Sequence, residues 1–276
     1  MKDISRRIQI IVATHKKYRM PGDPMYLPLH VGAEGKTDGE GHPLDLGYVK
    51  DNTGDNISLK NDGYCELTGL YWAWKHVRAD YIGLVHYRRY FVKKPLHRDR
   101  FQSILTYQDL APLLGQYQVF VPKKRRYYIE TLYSHYAHTH YAVQLDATRD
   151  IIEQFYPDYL EDFDRITKQS SGYMFNMMIM ARPLVGEYCT WLFKILGELE
   201  QRVDMAELSP FQRRYFGRIA EIIFNVWLAH QVRAGRLKAS DIKILPYANM
   251  EKTNWLKKGF SFLRAKFFHR KYEGSF

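Results

Sequence analysis

Only two cysteines, Cys65 and Cys189, occur in 276 residues. That excludes a disulfide framework and a cysteine-built zinc site, and it fits a reducing compartment. No run of about 18 or more apolar residues is present, so no segment reads as a membrane-spanning helix. The opening stretch MKDISRRIQIIVATHKK lacks the long apolar core and small-residue cleavage site of a secretory leader, and a cytoplasmic protein is expected. Glycine-rich phosphate cradles are missing too. Neither GxGxxG nor GxxxxGK[ST] is found, which leaves a dinucleotide fingerprint and a P-loop unsupported. No HExxH occurs, so the simplest helical zinc motif is also absent.

What the chain does carry is positive charge and aromatic rings. Its formal net charge is +11, which calls for an anionic partner such as nucleotide phosphate, nucleic acid or an acidic membrane face. Twenty-two tyrosines lift the aromatic fraction to 15%, suited to sugar stacking or to packing with a wet rim. The 46% hydrophobic content is enough for a sizeable core.

Apolar runs alternate with helical patterns, as in an α/β protein. Residues 7–13 read as a first buried strand that hands over to Thr14, His15, Lys16 and Lys17, where α/β folds commonly hold a nucleotide, with solvated loop charges as the plainer reading of the two lysines. Residues 18–62 form a long Gly-, Pro-, Asp- and Asn-rich stretch, of the kind used as a functional lid or left disordered, with a short strand near residues 25–31. Within it Asp55, Asn56, Ser58 and Asn61 could bond a base, ribose or hexose, or serve turns and helix caps. Asn61 or Asp62 is expected to cap a helix with Leu67, Leu70, Trp74 and Val77 on its apolar face. Residues 81–85 then form a covered strand ending in His86, Tyr87, Arg88 and Arg89. Ligands of open α/β sheets bind outside the carboxyl ends of strands, so chemistry is expected there.

Further along, residues 118–121 read as a strand followed by the basic run 123–126, and residues 128–141 as a helix carrying His135, His138 and His140. His135 and His138 share a helix face, but a metal site would need a third ligand. Residues 142–167 read as helix broken at Pro157, and residues 172–180 as an apolar strand interrupted by Asn176, whose amide needs a buried partner or a ligand. Pro183 opens another helix. Residues 211–231 read as an amphipathic helix with Phe216, Ile219, Ile223, Val226 and Trp227 inward, and with Glu221 and Asn225 on one face. Residues 242–245 form a last strand. The expected organisation is one domain over residues 1–250, with a basic aromatic tail over 251–276. Trp255, Leu256, Phe260, Leu263 and Phe267 make that tail resemble a membrane-surface anchor, with a packed helix as the alternative.

Four blocks carry a family resemblance: YVKDNTGDNISLKNDGYCELTGLYWAWKHVRADYIGLVHYRRYF, VFVPKKRRYY, GYMFNMMIMARPL and GRIAEIIFNVWLAHQ. Together they resemble a domain-of-unknown-function family of bacterial capsule, exopolysaccharide and O-antigen gene clusters, regarded as glycosyltransferases and in part linked to galactofuranose transfer. The resemblance implies a GT-A-like, Rossmann-type mixed sheet flanked by helices, with a helical C-terminal part. It implies a UDP-sugar donor, a glycan or polyprenyl-linked acceptor, and a place on the inner face of the cell membrane. Donor contacts then fall to Thr14, His15, Lys16, Asp55, Asn56, Ser58, Asn61, Glu66, Tyr87, Arg88 and Arg89, and acceptor contacts to Asn176 and Trp74. Candidates for the catalytic base are Glu221, His86 and His135. Glu221 resembles the acid of an R-x-x-E-x-x-x-N-x-W stretch counted from Arg218, with an ion pair to Arg218 as its plainer role. Where such enzymes usually place a metal-binding Asp-x-Asp, this chain has His86-Tyr87-Arg88-Arg89. Arginines repel a hard cation but can neutralise a diphosphate directly, so transfer without a bound metal is expected and no metal ligand is assigned. A non-catalytic scaffold and a nucleic-acid binder are the alternatives; no nucleic-acid-binding motif is present.

Overall fold

The computed structural model describes residues 7–204 and 208–251. Strands follow the order β1 (Ile8–Thr14), β2 (Tyr26–His30), β3 (Val49–Lys50), β4 (Tyr81–His86), β5 (Arg89–Phe91), β6 (Val119–Pro122), β7 (Arg125–Arg126), β8 (Ser171–Gly172), β9 (Met178–Ala181), β10 (Ile242–Leu245) and β11 (Tyr247–Asn249). Helices are α1 (Asn61–Tyr64), α2 (Leu67–His76), α3 (Tyr107–Leu110), α4 (Leu132–Thr139), α5 (Ala142–Phe155), α6 (Leu160–Thr167), α7 (Arg182–Arg202), α8 (Pro210–Arg213) and α9 (Tyr215–Arg233). One domain was expected over residues 1–250. The described residues group into two compact units interleaved along the sequence: residues 7–123, 175–189 and 237–250, and residues 124–174, 190–204 and 208–236 with Glu251. The first crossing falls inside the basic run Lys123-Lys124, where no Pro- or Gly-rich linker marks it.

The first unit holds a mixed sheet in the order β10-β6-β9-β4-β1-β2-β3, with β5 pairing β4 and β11. Strands β1, β2, β3 and β4 run parallel, and β9 lies antiparallel between β4 and β6. β1 is buried along nearly its whole length, as its run Ile-Gln-Ile-Ile-Val-Ala-Thr requires of a strand covered on both faces. On one face Ile8, Ile10, Val12, Tyr26, Val85, Tyr90 and Phe120 form the core. On the other, α2 lies close because Gly69 has no side chain: a methyl group there would sit 2.9 Å from Val31 Cγ1 and 3.2 Å from Leu29 Cδ2.

Several local expectations change. Helix α2 starts after Glu66, because Cys65 has φ 53° and ends α1. Asn61 therefore bonds the Cys65 carbonyl and Thr68 Oγ1 rather than capping a long helix. Trp72 is the buried tryptophan of α2, whereas Trp74 is half-buried under the Lys75 ammonium at 4.1 Å. Residues 172–180 are not one strand. Phe175 (φ 76°) and Asn176 (φ 50°) turn the chain through the left-handed region, and only Met178–Ala181 pairs with the sheet.

The second unit is helical apart from the β7–β8 pair. The helix expected over residues 128–141 shortens to α4. Its N-cap Thr131 exchanges hydrogen bonds with Ser134. Helix α9 is buried almost all round rather than on one face, with Phe216, Ile219, Ile223, Val226 and Trp227 each no more than 1% exposed. The tail expectation falls on residues 252–276, outside the described residues.

Candidate active site

Parallel pairing sets the first unit's site by register. Thr14 stands opposite His30, and Ala13 opposite His86, so the carboxyl ends of β1, β2 and β4 form one edge. Thr14 is buried and shapes the turn: its hydroxyl donates to the Lys16 carbonyl at 2.7 Å and accepts from the Lys16 amide. His15 and Lys16 emerge exposed. The His15 ring meets Tyr87 edge-on at 5.5 Å, and the Lys16 ammonium lies 5.1 Å from the Tyr87 ring and 5.6 Å from Tyr18. Tyr18 also meets Tyr87 at 5.0 Å. Thr14, His15, Lys16 and Tyr87 thus lie together at the joined ends of β1 and β4.

Tyr87 and Arg88 form the two-residue link of a hairpin in which His86 pairs with Arg89. Arg89 donates from Nε to Asn249 Oδ1 at 2.9 Å, and its guanidinium covers the Phe175 ring at 3.9 Å. The Arg88 guanidinium lies 5.8 Å from the Tyr87 ring. His86 Nε2 donates to the Phe175 carbonyl at 2.7 Å, because a carbonyl can only accept. That fixes the neutral ring's proton on Nε2 and makes Nδ1 its basic nitrogen. Glu66, at the start of α2, brings Oε1 within 3.7 Å of the same Nε2 and accepts from Asn176 Nδ2 at 2.7 Å. The left-handed turn at Phe175 and Asn176 delivers both groups. His86, Glu66, Asn176 and Arg89 therefore form one connected cluster.

Other expected donor contacts are engaged elsewhere. Ser58 is buried: its hydroxyl donates to Asp51 and accepts from the Glu34 amide. Asn56 makes turn bonds to Gly54 and Ser58. Asn61 packs against Gly32, where a methyl group would strike it at 2.5 Å. Asp55 bonds Tyr71 and Lys75, which hold its carboxyl below the usual range. Trp74 lies eight residues beyond Glu66, about 12 Å further along α2. Asp55 and Trp74 are thus both in contact with Lys75 on α2.

Sequence reasoning missed Asp51, wholly buried, which accepts from the Gly32 and Ala33 amides and holds the loop after β2. It also missed His30, whose buried Nδ1 has no hydrogen-bond partner among the described residues and whose pKa is lowered by burial. A lone Asp after a strand was the available signal for the first; the second reads as ordinary strand sequence.

Glu221 and His135 belong to the second unit. Glu221 is buried and paired with Arg218 at 3.1 Å, and Asn225 clamps the Tyr173 backbone by accepting from its amide and donating to its carbonyl. Asn225 also donates to the Glu221 carbonyl, a helix-backbone contact. His135 and His138 both reach Glu130, at 2.7 and 2.6 Å. Burial pushes the His135 pKa down. Burial would raise Glu130, yet the two histidine bonds hold it low. Among the described residues no group of three or more His, Cys, Asp or Glu is arranged to hold a metal ion, and no helix is long and apolar enough to cross a membrane.

A mixed sheet flanked by helices, with polar groups gathered at the ends of its parallel strands, is the architecture of GT-A-like glycosyltransferases, and a solved structure bears this out. The apo structure of WbbM, a bifunctional glycosyltransferase, is similar with a TM-score of 0.79 and 29% identity over 89% of this chain. The chain spans about half of that protein, 46% of its length. Residues 9–232 match the family described as Domain of unknown function (DUF4422), and the chain belongs to that family. No curated protein matches.

Proposed function

We propose that this chain is a glycosyltransferase that moves a hexose, galactofuranose among the candidates, from a UDP-sugar to a glycan or lipid-linked acceptor in envelope polysaccharide synthesis. The observation that carries the reading is the meeting of the β1 and β4 ends on a glycosyltransferase-like fold. There Lys16 of the β1 turn joins Arg88 and Arg89, which belong to the His86-Tyr87-Arg88-Arg89 stretch that the family resemblance sets at the usual position of a metal-binding Asp-x-Asp. Guanidinium and ammonium groups can neutralise a diphosphate and stabilise its charge as it leaves, without a metal ion. Tyr18 and His15, both packed edge-on against the buried Tyr87 ring, offer ring faces for a base or sugar.

For an inverting transfer the acceptor hydroxyl must lose its proton. His86 is the base this geometry supports best. Its Nε2 proton is held by the Phe175 carbonyl, Nδ1 takes the incoming proton, and the Glu66 carboxylate 3.7 Å away steadies the imidazolium that results. Glu221, the base first suggested by sequence, is engaged by Arg218 in the second unit, and His135 by Glu130. The test is release of UDP from a panel of UDP-hexoses supplied with polyprenyl-linked or glycan acceptors. Acceptor-dependent release by the wild type and its loss in His86→Ala support the reading. No release with any nucleotide sugar, together with no nucleotide binding, would favour the scaffold instead.

A further inference from the structure

In the second unit the chain leaves β7 through a tip on which Tyr128 is 84% and Ile129 66% exposed. Tyr128 has φ 59°, a left-handed conformation that costs a non-glycine residue energy. The backbone around it is tied down. The Tyr127 amide donates to the Ser170 carbonyl and the Leu132 amide to the Gln169 carbonyl, both at 2.8 Å, and the Ile129 amide donates to the Tyr127 carbonyl at 2.7 Å. The tip is thus fixed in a shape that presents two apolar side chains to water. Cations flank it. Lys124 and Arg126 are exposed on the approach, and Lys168 is exposed on the segment whose Gln169 and Ser170 carbonyls anchor the tip. The neighbouring acid, Glu130, is taken up by His135 and His138.

We propose that this tip docks on an anionic lipid bilayer, with Tyr128 and Ile129 entering the interfacial zone and Lys124, Arg126 and Lys168 lying over the headgroups. Two side chains on a projecting loop fall far short of the roughly 800 Å² per partner that a stable protein contact needs. Apolar tips bordered by cations suit a bilayer surface, where the ring sits at headgroup level and each basic residue is drawn to anionic lipid. The contact depends neither on residues 251–276 nor on the donor chemistry.

Flotation of the full chain with phosphatidylcholine vesicles, with and without phosphatidylglycerol, tests it. The wild type should float only with the anionic vesicles and release at high salt. Tyr128→Ser/Ile129→Ser should weaken partition by roughly tenfold, and Arg126→Glu/Lys168→Glu by at least as much. Tyr128→Gly, which relieves the left-handed strain and keeps Ile129, should weaken vesicle binding by severalfold, less than the double change, while its thermal midpoint holds or rises. Thermal stabilisation by UDP should be unchanged in all three, which separates this contact from the donor site. Wild-type flotation by the variants, or no lipid-dependent flotation of the full chain, would overturn the assignment. So would a dimer, seen by sedimentation, that the Tyr128→Ser/Ile129→Ser change abolishes without affecting flotation.

Discussion

In the proposed role of base, His86 depends on its neighbours. With Nε2 bonded to the Phe175 carbonyl the neutral ring has one tautomer, and the Glu66 carboxylate lies 3.7 Å from the same nitrogen, so these two partners position the ring for the proposed role. His86→Ala is therefore expected to lower kcat by about 10²- to 10⁴-fold with little change in UDP affinity. Glu66→Gln, which keeps an acceptor for Asn176, should lose about tenfold or more. Steady-state kinetics with separate UDP titrations would show whether the loss lies in kcat. A loss confined to KM would remove His86 from the role of base.

His140 gives a prediction of a different kind. Its ring stacks on Phe211 at 5.1 Å and Tyr136 at 5.2 Å, and burial pushes its pKa from 6.5 to about 3. The unfolded chain takes up that proton first. Stability from this group is complete above pH 6.5 and declines as the pH falls from there toward about 3. Urea midpoints measured across that window should slope downward toward acid, and less steeply in His140→Phe. Equal slopes would mean that the ring is not held neutral.

At the scale of elements, packing decides more than propensity. Gly69→Ala places a methyl group against Val31 and Leu29, and should cost about 1–3 kcal/mol unless α2 shifts off the sheet. Asn225→Ala removes both bonds to the Tyr173 backbone from a buried position and should cost about 2–4 kcal/mol. Chemical denaturation reads both, and a neutral Asn225→Ala would show that the clamp is incidental.

The elements also show where a sequence is readable. Strands near residues 7–13, 25–31, 81–85, 118–121 and 242–245 were legible because short apolar runs bounded by polar residues are what a buried sheet demands. The stretch 172–180 looked no different, yet Phe175 and Asn176 adopt left-handed conformations that no apolar pattern betrays. The break at Cys65 was equally silent. On α2 the helical spacing placed Trp74 inward, but the buried ring is Trp72, whose Nε1 donates to Thr53 Oγ1 at 2.8 Å, a loop contact that spacing does not reveal. The polar residues after the runs 7–13 and 81–85 were legible, whereas the strand order that brings those two ends together was not. The cluster of Glu66 with Asn176 was not, because it joins residues 110 apart in sequence through a turn.

For the whole molecule, a formal charge of +11 implies attraction to anions beyond direct contact. UDP affinity should therefore fall as salt rises, by several-fold across about a tenfold change in ionic strength. Titrations at two salt concentrations would test this, and a salt-independent affinity would mean that long-range charge plays no part.

The central claim is that cationic side chains at the joined ends of β1 and β4 hold the donor diphosphate without a metal ion. Its most direct test is thermal stabilisation of the full chain by UDP, with and without EDTA, in the wild type and in Arg88→Ala/Arg89→Ala. At a hundredfold excess over Kd, binding stabilises a fold by about 2.7 kcal/mol, an easily measured shift. The shift should survive EDTA and be lost in the double variant. A shift that appears only with added Mg²⁺ or Mn²⁺, or one unchanged by removing both arginines, would contradict it.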